Sequence, residues 1–498
     1  MMTPLTSTNT QPQGEITLGD IAKSNDTGQE TIVVPPQSNT PPTVTPQIPQ
    51  SPPPVPQGSP WAKRIIALFV IVVLIAGAIF GGRWLFGMLE GSKQVTITYW
   101  GLWENDAILR PVISSFESTH PNIRVQYIKQ SQKQYRERLQ AAIDRGEGPD
   151  VFRFHNTWVP MLQKELEPVP ESVMTVSEFQ STFFPVAAND LVGGTTIYGI
   201  PLEIDGLGLY YNEDLFARAG ITTTPSTWAE VLAMIPKIAK PEGETFAVSA
   251  IALGTTNNVE HYSDILATMF MQNGANLTAP TGKEAEETLL FYRKFASPND
   301  PLYTWNETMD NSIYAFASGK VAMILAPSWR AFDIAQMNPS VRFKIAPIPQ
   351  LPGNTVNWAS YWVEGVSSKS KYPTQAMEFM KFLTSKEGAT LLYSEAVKAR
   401  KLFGEPYARK ELASSLTNDP YAGAYVTQGT DARSFPLASR TFDNGLNDKL
   451  IVYLENALNA LKTGSSPTAE LETMKTGFQQ VFTTYGLTTN TTSAPQQP

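Results

Sequence analysis

The stretch YGIPLEIDGLGLYYNEDLF, from Tyr198 to Phe216, decides the fold. A short extended run leads into Pro201, an acidic loop carries Glu203 and Asp205, and Leu207 to Tyr211 reads as a buried strand. Asn212 then opens a helix, because its side chain can accept from the unpaired amides of the first turn. Further on, Pro225 precedes Thr227-Trp-Ala-Glu230, which has the spacing of a capping box and predicts a second helix start. Two carboxylates in a loop between apolar strands suit a polar site at the strand ends of an α/β sheet.

The pattern continues on both sides. Val95 to Trp100, Ile123 to Ile128 and Val151 to Phe154 read as strands, and Asp106 to Ser118 and Gln132 to Asp144 as the helices between them. Such alternation predicts parallel sheets with helices on both faces. Near the C-terminus, Leu446, Leu450, Leu454, Leu458 and Leu461 recur at helical spacing. Gly464 ends that helix and Ser466-Pro467 opens the next. Roughly 390 residues follow Gln94, more than one core holds, so two lobes are expected. No internal repeat is visible.

Composition removes several functions. The chain has 498 residues and a net charge of −8, and its Lys and Arg form no basic run, so nucleic acid is not an expected partner. With no Cys, disulfides, thiolate zinc sites and Cys nucleophiles are excluded. His120, His155 and His261 are the only histidines and have no metal-ligand spacing, so no metal or cofactor is expected. Neither a Walker motif nor a G-x-S-x-G elbow occurs. Glu203 with Asp205 leaves a glycosidase as the enzymatic alternative, but the reading is of a non-enzyme with no catalytic residues.

Residues 1–60 are rich in Pro, Thr, Gln and Ser and cannot bury enough surface to offset chain entropy, so they read as a disordered, Pro-rich tail. Residues 488–498 read as a second such tail. Between them, IIALFVIVVLIAGAIFGG from Ile65 to Gly82 is an uncharged apolar run, continued after Arg83 by WLFGML. At about 1.5 Å per residue it matches a bilayer, so residues 61–89 are expected to form one transmembrane helix. The rival reading is a cleaved secretory signal, since Ala76-Gly77-Ala78 mimics a cleavage site. Lys63 and Arg64 before the run are balanced by Arg83 and Lys93 after it, so charge alone leaves the orientation open.

Five segments then point to one family: Tyr198 to Phe216, VTITYWGLW from Val95, GPDVFRF from Gly148, AFASGKVAMILAPSW from Ala315, and WASYWVEGVSSK from Trp358. In order and spacing they resemble the extracellular solute-binding proteins of ABC sugar importers, the maltose-binding-protein-like group (family 1), from about Gln94 to Tyr485. The resemblance implies a two-lobed, periplasmic-binding-protein-like (type II) α/β fold with a ligand in the cleft. It implies three crossings between lobes, placed near Ile204 to Gly206, near Glu364 to Val366, and near Thr430. The first lobe is then 94–204 with 366–429, and the second 205–365 with 430–487. It also implies a carbohydrate ligand, delivery to the permease subunits of an ABC transporter, and a single-pass membrane protein with its N-terminus cytoplasmic. Without a Cys to carry lipid, the anchor to the bilayer is the Ile65 to Gly82 helix. The alternative keeps the fold but makes it a receptor or sensor for a non-sugar solute such as a polyamine.

The candidate ligand contacts are aromatic and polar groups at predicted strand ends. A Trp or Tyr ring covers the C–H face of a sugar while carboxylates and amides take its hydroxyl rim. Trp103, Trp329, Trp358, Tyr361 and Trp362 are the aromatic candidates, with core packing as the competing role for each ring. Trp329 falls where the family's second-lobe stacking Trp lies. Asp205 stands at the position of an acidic sugar ligand, with capping or hinge hydrogen bonding as its other role. Glu203, Glu104, His155 and Asn156 occupy cleft-facing loops, and His261 with Tyr262 approximates a further contact region or simply begins a helix. Arg433 and Arg440 near the third crossing are open to ligand pairing or ordinary surface roles. Phe154 stands where the maltose-binding pattern has a Trp, and Thr157 and Trp158 replace its charged pair, so maltose itself is not implied.

Overall fold

The computed structural model describes residues 94–353 and 355–487, together with Trp61, Phe69, Val72 and Val73. The chain divides into two units, Met1–Lys93 and Gln94–Pro498. In the first unit the four described residues are helical and exposed. The remainder of the expected membrane span, the Pro-rich segment 1–60 and the tail 488–498 lie outside the described residues. Among the described residues, no helix is long and apolar enough to cross a membrane.

The second unit opens with β1 (Val95–Gly101), in which Ile97, Tyr99 and Gly101 are buried at the two-residue period of a strand. α1 (Asp106–Thr119) buries Ile108, Leu109, Val112, Ile113 and Phe116 at helical spacing. β2 (Ile123–Lys129), α2 (Tyr135–Asp144) and β3 (Val151–His155) complete a run of alternating strand and helix, with both strands parallel to β1. β4 (Ile200–Pro201) is followed by β5 (Gly208–Asn212), whose last residue caps the next helix by accepting from the amides of Asp214 and Leu215. α3 (Trp228–Ile238) starts on the expected capping box of Thr227 and Glu230. β6 (Lys240–Glu242), β7 (Thr245–Ile251), α4 (Tyr262–Gln272), α5 (Lys283–Lys294), β8 (Val321–Ala326), α6 (Arg330–Met337) and β9 (Phe343–Ala346) follow. The chain then returns through β10 (Trp362–Val366), α7 (Pro373–Leu383) and α8 (Lys386–Arg400), and ends in α9 (Leu446–Lys462) and α10 (Pro467–Thr484).

Two five-stranded sheets result, ordered β2-β1-β3-β10-β4 and β9-β5-β8-β7-β6. They are mixed rather than wholly parallel: β10 runs antiparallel to β3 and β4, and β5 antiparallel to β8 and β9. β10 pairs with β3 along its whole length, from Trp362 with His155 to Val366 with Val151. Glu364 to Val366, where the second crossing is expected, are strand residues of the first sheet, and the buried Glu364 is met by Arg153.

Three segments meet where the chain passes between the sheets. Gly206 bridges to Ala359, the Ser360 amide donates to the Asp205 carbonyl at 2.9 Å, and Asn357–Trp358 pairs in parallel with Ala432–Arg433. Gly206 is required by this proximity: a Cβ there would lie 1.8 Å from the Trp358 carbonyl oxygen.

Candidate functional site

The C-terminal ends of β1, β3 and β8 and the start of β10 face one cavity of about 780 Å³. On the first-sheet side Trp103 and Trp362 form an edge-to-face pair with centroids 4.9 Å apart at 77°. Trp362 is wedged by His155 at 5.1 Å and by the buried Trp158 at 5.2 Å, both nearly perpendicular. Such packing fixes the ring and leaves part of its surface toward the cavity. On the other side, Trp329 follows β8 and is 39 % exposed. The Arg330 guanidinium lies 4.1 Å over its ring and His261 meets its edge at 5.7 Å. The cavity is thus walled by indoles from both sheets.

Asp205 sits at the first passage. It accepts from the amides of Gly206 and Ser328 and from the Ser328 hydroxyl, the last at 2.8 Å, so it ties the passage to the loop after β8. Burial pushes its carboxyl up to about 7 in spite of these three donors. Asp264 also lines the cavity, accepts from Trp358 Nε1 at 2.8 Å, and is pushed by burial up to about 6. His155 lines the first-sheet wall. Its Nδ1 accepts from the Thr157 amide, so the neutral ring carries its proton on Nε2 and donates to Ser360 Oγ at 3.1 Å. Burial lowers its pKa to about 3.

Of the expected contacts, Trp103, His155, Glu203, Asp205, Trp329 and Trp362 line the cavity. The other six do not, and each has a structural reason. Glu104 is fully buried and held by Arg153 Nη1 at 2.8 and 2.9 Å; burial alone would raise its carboxyl, but the guanidinium holds it below the usual carboxylate range. Asn156 and Tyr361 interlock through backbone and side chain, and both also bond Asp190, at 2.9 and 2.7 Å. Trp358 is buried behind Asp264. His261 accepts from Arg330 Nε at 3.1 Å and bonds Ser439 at 2.7 Å, which positions the arginine over Trp329. Tyr262 opens α4 with its hydroxyl toward Glu455.

The sequence reading missed most of two walls. One is the end of α8 and the segment after it, where Arg400, Phe403 and Glu405 reach the cavity. The other is the loop after the third passage, with Ser439, Arg440 and Phe442. Arg440 (φ 61°), Phe442 (φ 51°) and Asn444 (φ 45°) all adopt the left-handed region, an unusual concentration for residues with a Cβ. Arg440 pairs with Glu260, which also binds Arg330 at 2.8 Å, whereas Arg433 is exposed and outside the cavity wall. Among the described residues no group of His, Asp and Glu is arranged to hold a metal ion.

A two-lobed body with an indole-walled cavity between mixed sheets defines a class, the clefted binding proteins of ABC importers. The chain belongs to the bacterial extracellular solute-binding protein family, whose model matches residues 100–390. It is 24% identical over 338 residues, covering 65% of this chain and 79% of the relative, to a multiple sugar-binding protein of Streptococcus mutans. It is 26% identical over 264 residues to a maltooligosaccharide ABC transporter solute-binding lipoprotein of Streptococcus pneumoniae, covering 49% of this chain and 57% of that one. Among solved structures it resembles a cyclo/maltodextrin-binding protein complexed with maltotetraose (TM-score 0.63, 19% identity, 79% of this chain and 99% of that one). The sugar-binding protein MalE from Xanthomonas citri is equally similar in fold (TM-score 0.63, 18% identity, 78% of this chain and 98% of that one). At such identities the structures bear on the fold alone.

Proposed function

We propose that this protein captures a carbohydrate, most simply an oligosaccharide, by closing its lobes around it, and delivers it unchanged to an ABC permease. The observation that carries this reading is the cavity itself. Its volume of about 780 Å³ falls within the range of small-molecule sites and exceeds the need of one hexose. Indoles oppose one another across it, and buried carboxylates and hydroxyls supply the rim contacts that a sugar demands. The names of the relatives in two streptococci support the same ligand class. The residues proposed to touch ligand are Trp103, His155, Glu203, Asp205, Trp329 and Trp362. The three adjoining passages at 205–206, 357–360 and 432–433 are proposed as the hinge, a mode of closure known for clefted receptors. The lobes are proposed as 94–204 with about 362–429, and about 205–361 with 430–487. The apolar run from Ile65 to Gly82 is proposed to tether the receptor to the membrane with its lobes outside.

Isothermal titration of the protein with a panel of oligosaccharides tests the reading. Heat from at least one carbohydrate, recovered intact by chromatography afterwards, is expected. Silence across the panel, or a cleaved product, would count against it.

A further inference from the structure

The loop between the third passage and α9 is strained as built, and the strain falls on a ring in the cavity. Ala438 and Asn447 close its base, where Asn447 Oδ1 accepts the Ala438 amide at 3.0 Å. The ends of the loop thus meet, as in an Ω-loop, a compact form packed by its own side chains. Asp443 fills the inside. It is fully buried, and its carboxylate accepts the amides of Gly445, Asn447 and Asp448 and the side-chain amide of Asn447, at 2.8 to 3.2 Å. Its carbonyl accepts from Arg136 Nε at 2.6 Å, and Asn447 Nδ2 reaches Thr157 Oγ1 at 2.7 Å. This clamp fixes the course of the loop against the first body.

Along that course the side chains alternate. Thr441, Asp443 and Gly445 are buried, whereas Arg440, Phe442 and Asn444 are exposed. The three exposed residues are the three left-handed ones. Asn visits that region readily, but a bulky side chain there is an outlier. Two of the three have polar partners: Arg440 pairs with Glu260, and Asn444 donates to Glu137 at 3.1 Å. Phe442 has none to find. It is 39% exposed and lines the cavity, with the Arg440 guanidinium 5.8 Å from its ring centre. Among the described residues no aromatic ring packs against it. A single exposed apolar side chain is ordinary; one held left-handed by a buried clamp, where Asn or Gly would sit without strain, is not. Residues kept in such conformations cluster at ligand clamps.

We propose that Phe442 is a further ligand contact, a platform that stacks on the sugar unit adjoining the one clasped between the indoles, and that it sets a preference for longer oligosaccharides. This rests on the carbohydrate-receptor reading and deepens it. A Phe ring offers a face to C–H groups and no hydrogen bond, so it rewards the presence of another sugar unit without demanding one pattern of hydroxyls.

The test is calorimetry on the full chain in detergent, with glucose and mannose and their linear oligomers from dimer to pentamer as probes. In the parent, affinity within a series is expected to climb at least about tenfold from the shortest bound probe to the longest. Phe442→Asn is expected to cut that climb about fivefold to tenfold while leaving the shortest bound probe within about twofold of the parent. The same variant is expected to melt at the parent's temperature or above, because left-handed strain is relieved. Phe442→Tyr is expected to keep the climb, and Phe442→Gly replaces the Asn variant should that one not fold. A parent indifferent to length, or a climb that survives removal of the ring, overturns the proposal. So does failure of both variants to fold, or a lowered melting temperature with equal loss at every length, since the ring would then be a structural support. In each of these cases heat from the parent leaves the receptor reading intact, whereas silence from every probe overturns both.

Discussion

At the scale of single residues, burial without a compensating charge sets the pH behaviour. His155 has a pKa of about 3 in the folded chain against an ordinary 6.5. The unfolded chain therefore binds more protons between those values, and stability from this group is lost as pH falls below about 6.5, at about 1.4 kcal/mol per pH unit. Asp205 acts in the opposite sense: raised from 3.8 to about 7, it costs stability as pH rises through that window. Comparing His155→Gln with the parent isolates the first effect. By urea denaturation, the variant should gain about 2 kcal/mol relative to the parent between pH 7 and pH 5; a difference that stays constant would show that the imidazole is not held neutral. Gly206→Ala makes a second residue-scale prediction. Its methyl group would overlap the Trp358 carbonyl oxygen, and backbone cannot yield as a side chain can. A loss of about 3 kcal/mol is expected in the same assay, and full stability in this variant would mean that the passages are more loosely joined than described.

Among elements, Arg153 fastens the first sheet. It projects from β3 and joins the loop after β1, through Glu104, to the antiparallel β10, through Glu364. Arg153→Met removes one partner and strands two buried carboxylates, so a loss of about 3–5 kcal/mol is expected in the denaturation midpoint; a loss under about 1 kcal/mol would show that water reaches the cluster. The same arginine explains what could be read from the chain and what could not. Strands such as Val95–Gly101 and Val321–Ala326, and the starts of α3 and α10, carry local signals: period-two burial in the first strand, an unbroken apolar run in the second, a capping box, a Pro after a Gly. WVEGV carries none, since its Glu looks like a loop residue until it meets an arginine 211 positions away. Glu104 misled for the same reason, because a carboxylate at a strand end has identical local context whether it meets ligand or a buried guanidinium. The walls formed by 400–406 and 439–442 were illegible because irregular loops reach the cavity through tertiary packing, and left-handed Arg440 and Phe442 have no sequence signature.

For the molecule as a whole, the candidate site depends on two bodies presenting their indoles to one space. Trp329 belongs to the second body, is partly exposed, and contributes little to packing. Trp329→Ala should weaken binding of the best oligosaccharide by at least about tenfold, while shifting the melting temperature by less than about 2 °C. Titration calorimetry and a thermal scan of the same sample check both halves of the expectation, and unchanged affinity would remove this ring from the ligand contacts.

The packing of the last two helices governs the order in which the molecule can be assembled. α9 and α10 lie against each other and against α5, so Lys283–Lys294 is covered by residues that leave the ribosome more than 150 positions later. A nascent chain that has reached α8 still lacks both of these neighbours of α5. Synthesis must therefore run almost to the end before α5 has all its neighbours. Until then its bare apolar faces are open to holdase chaperones and to self-association.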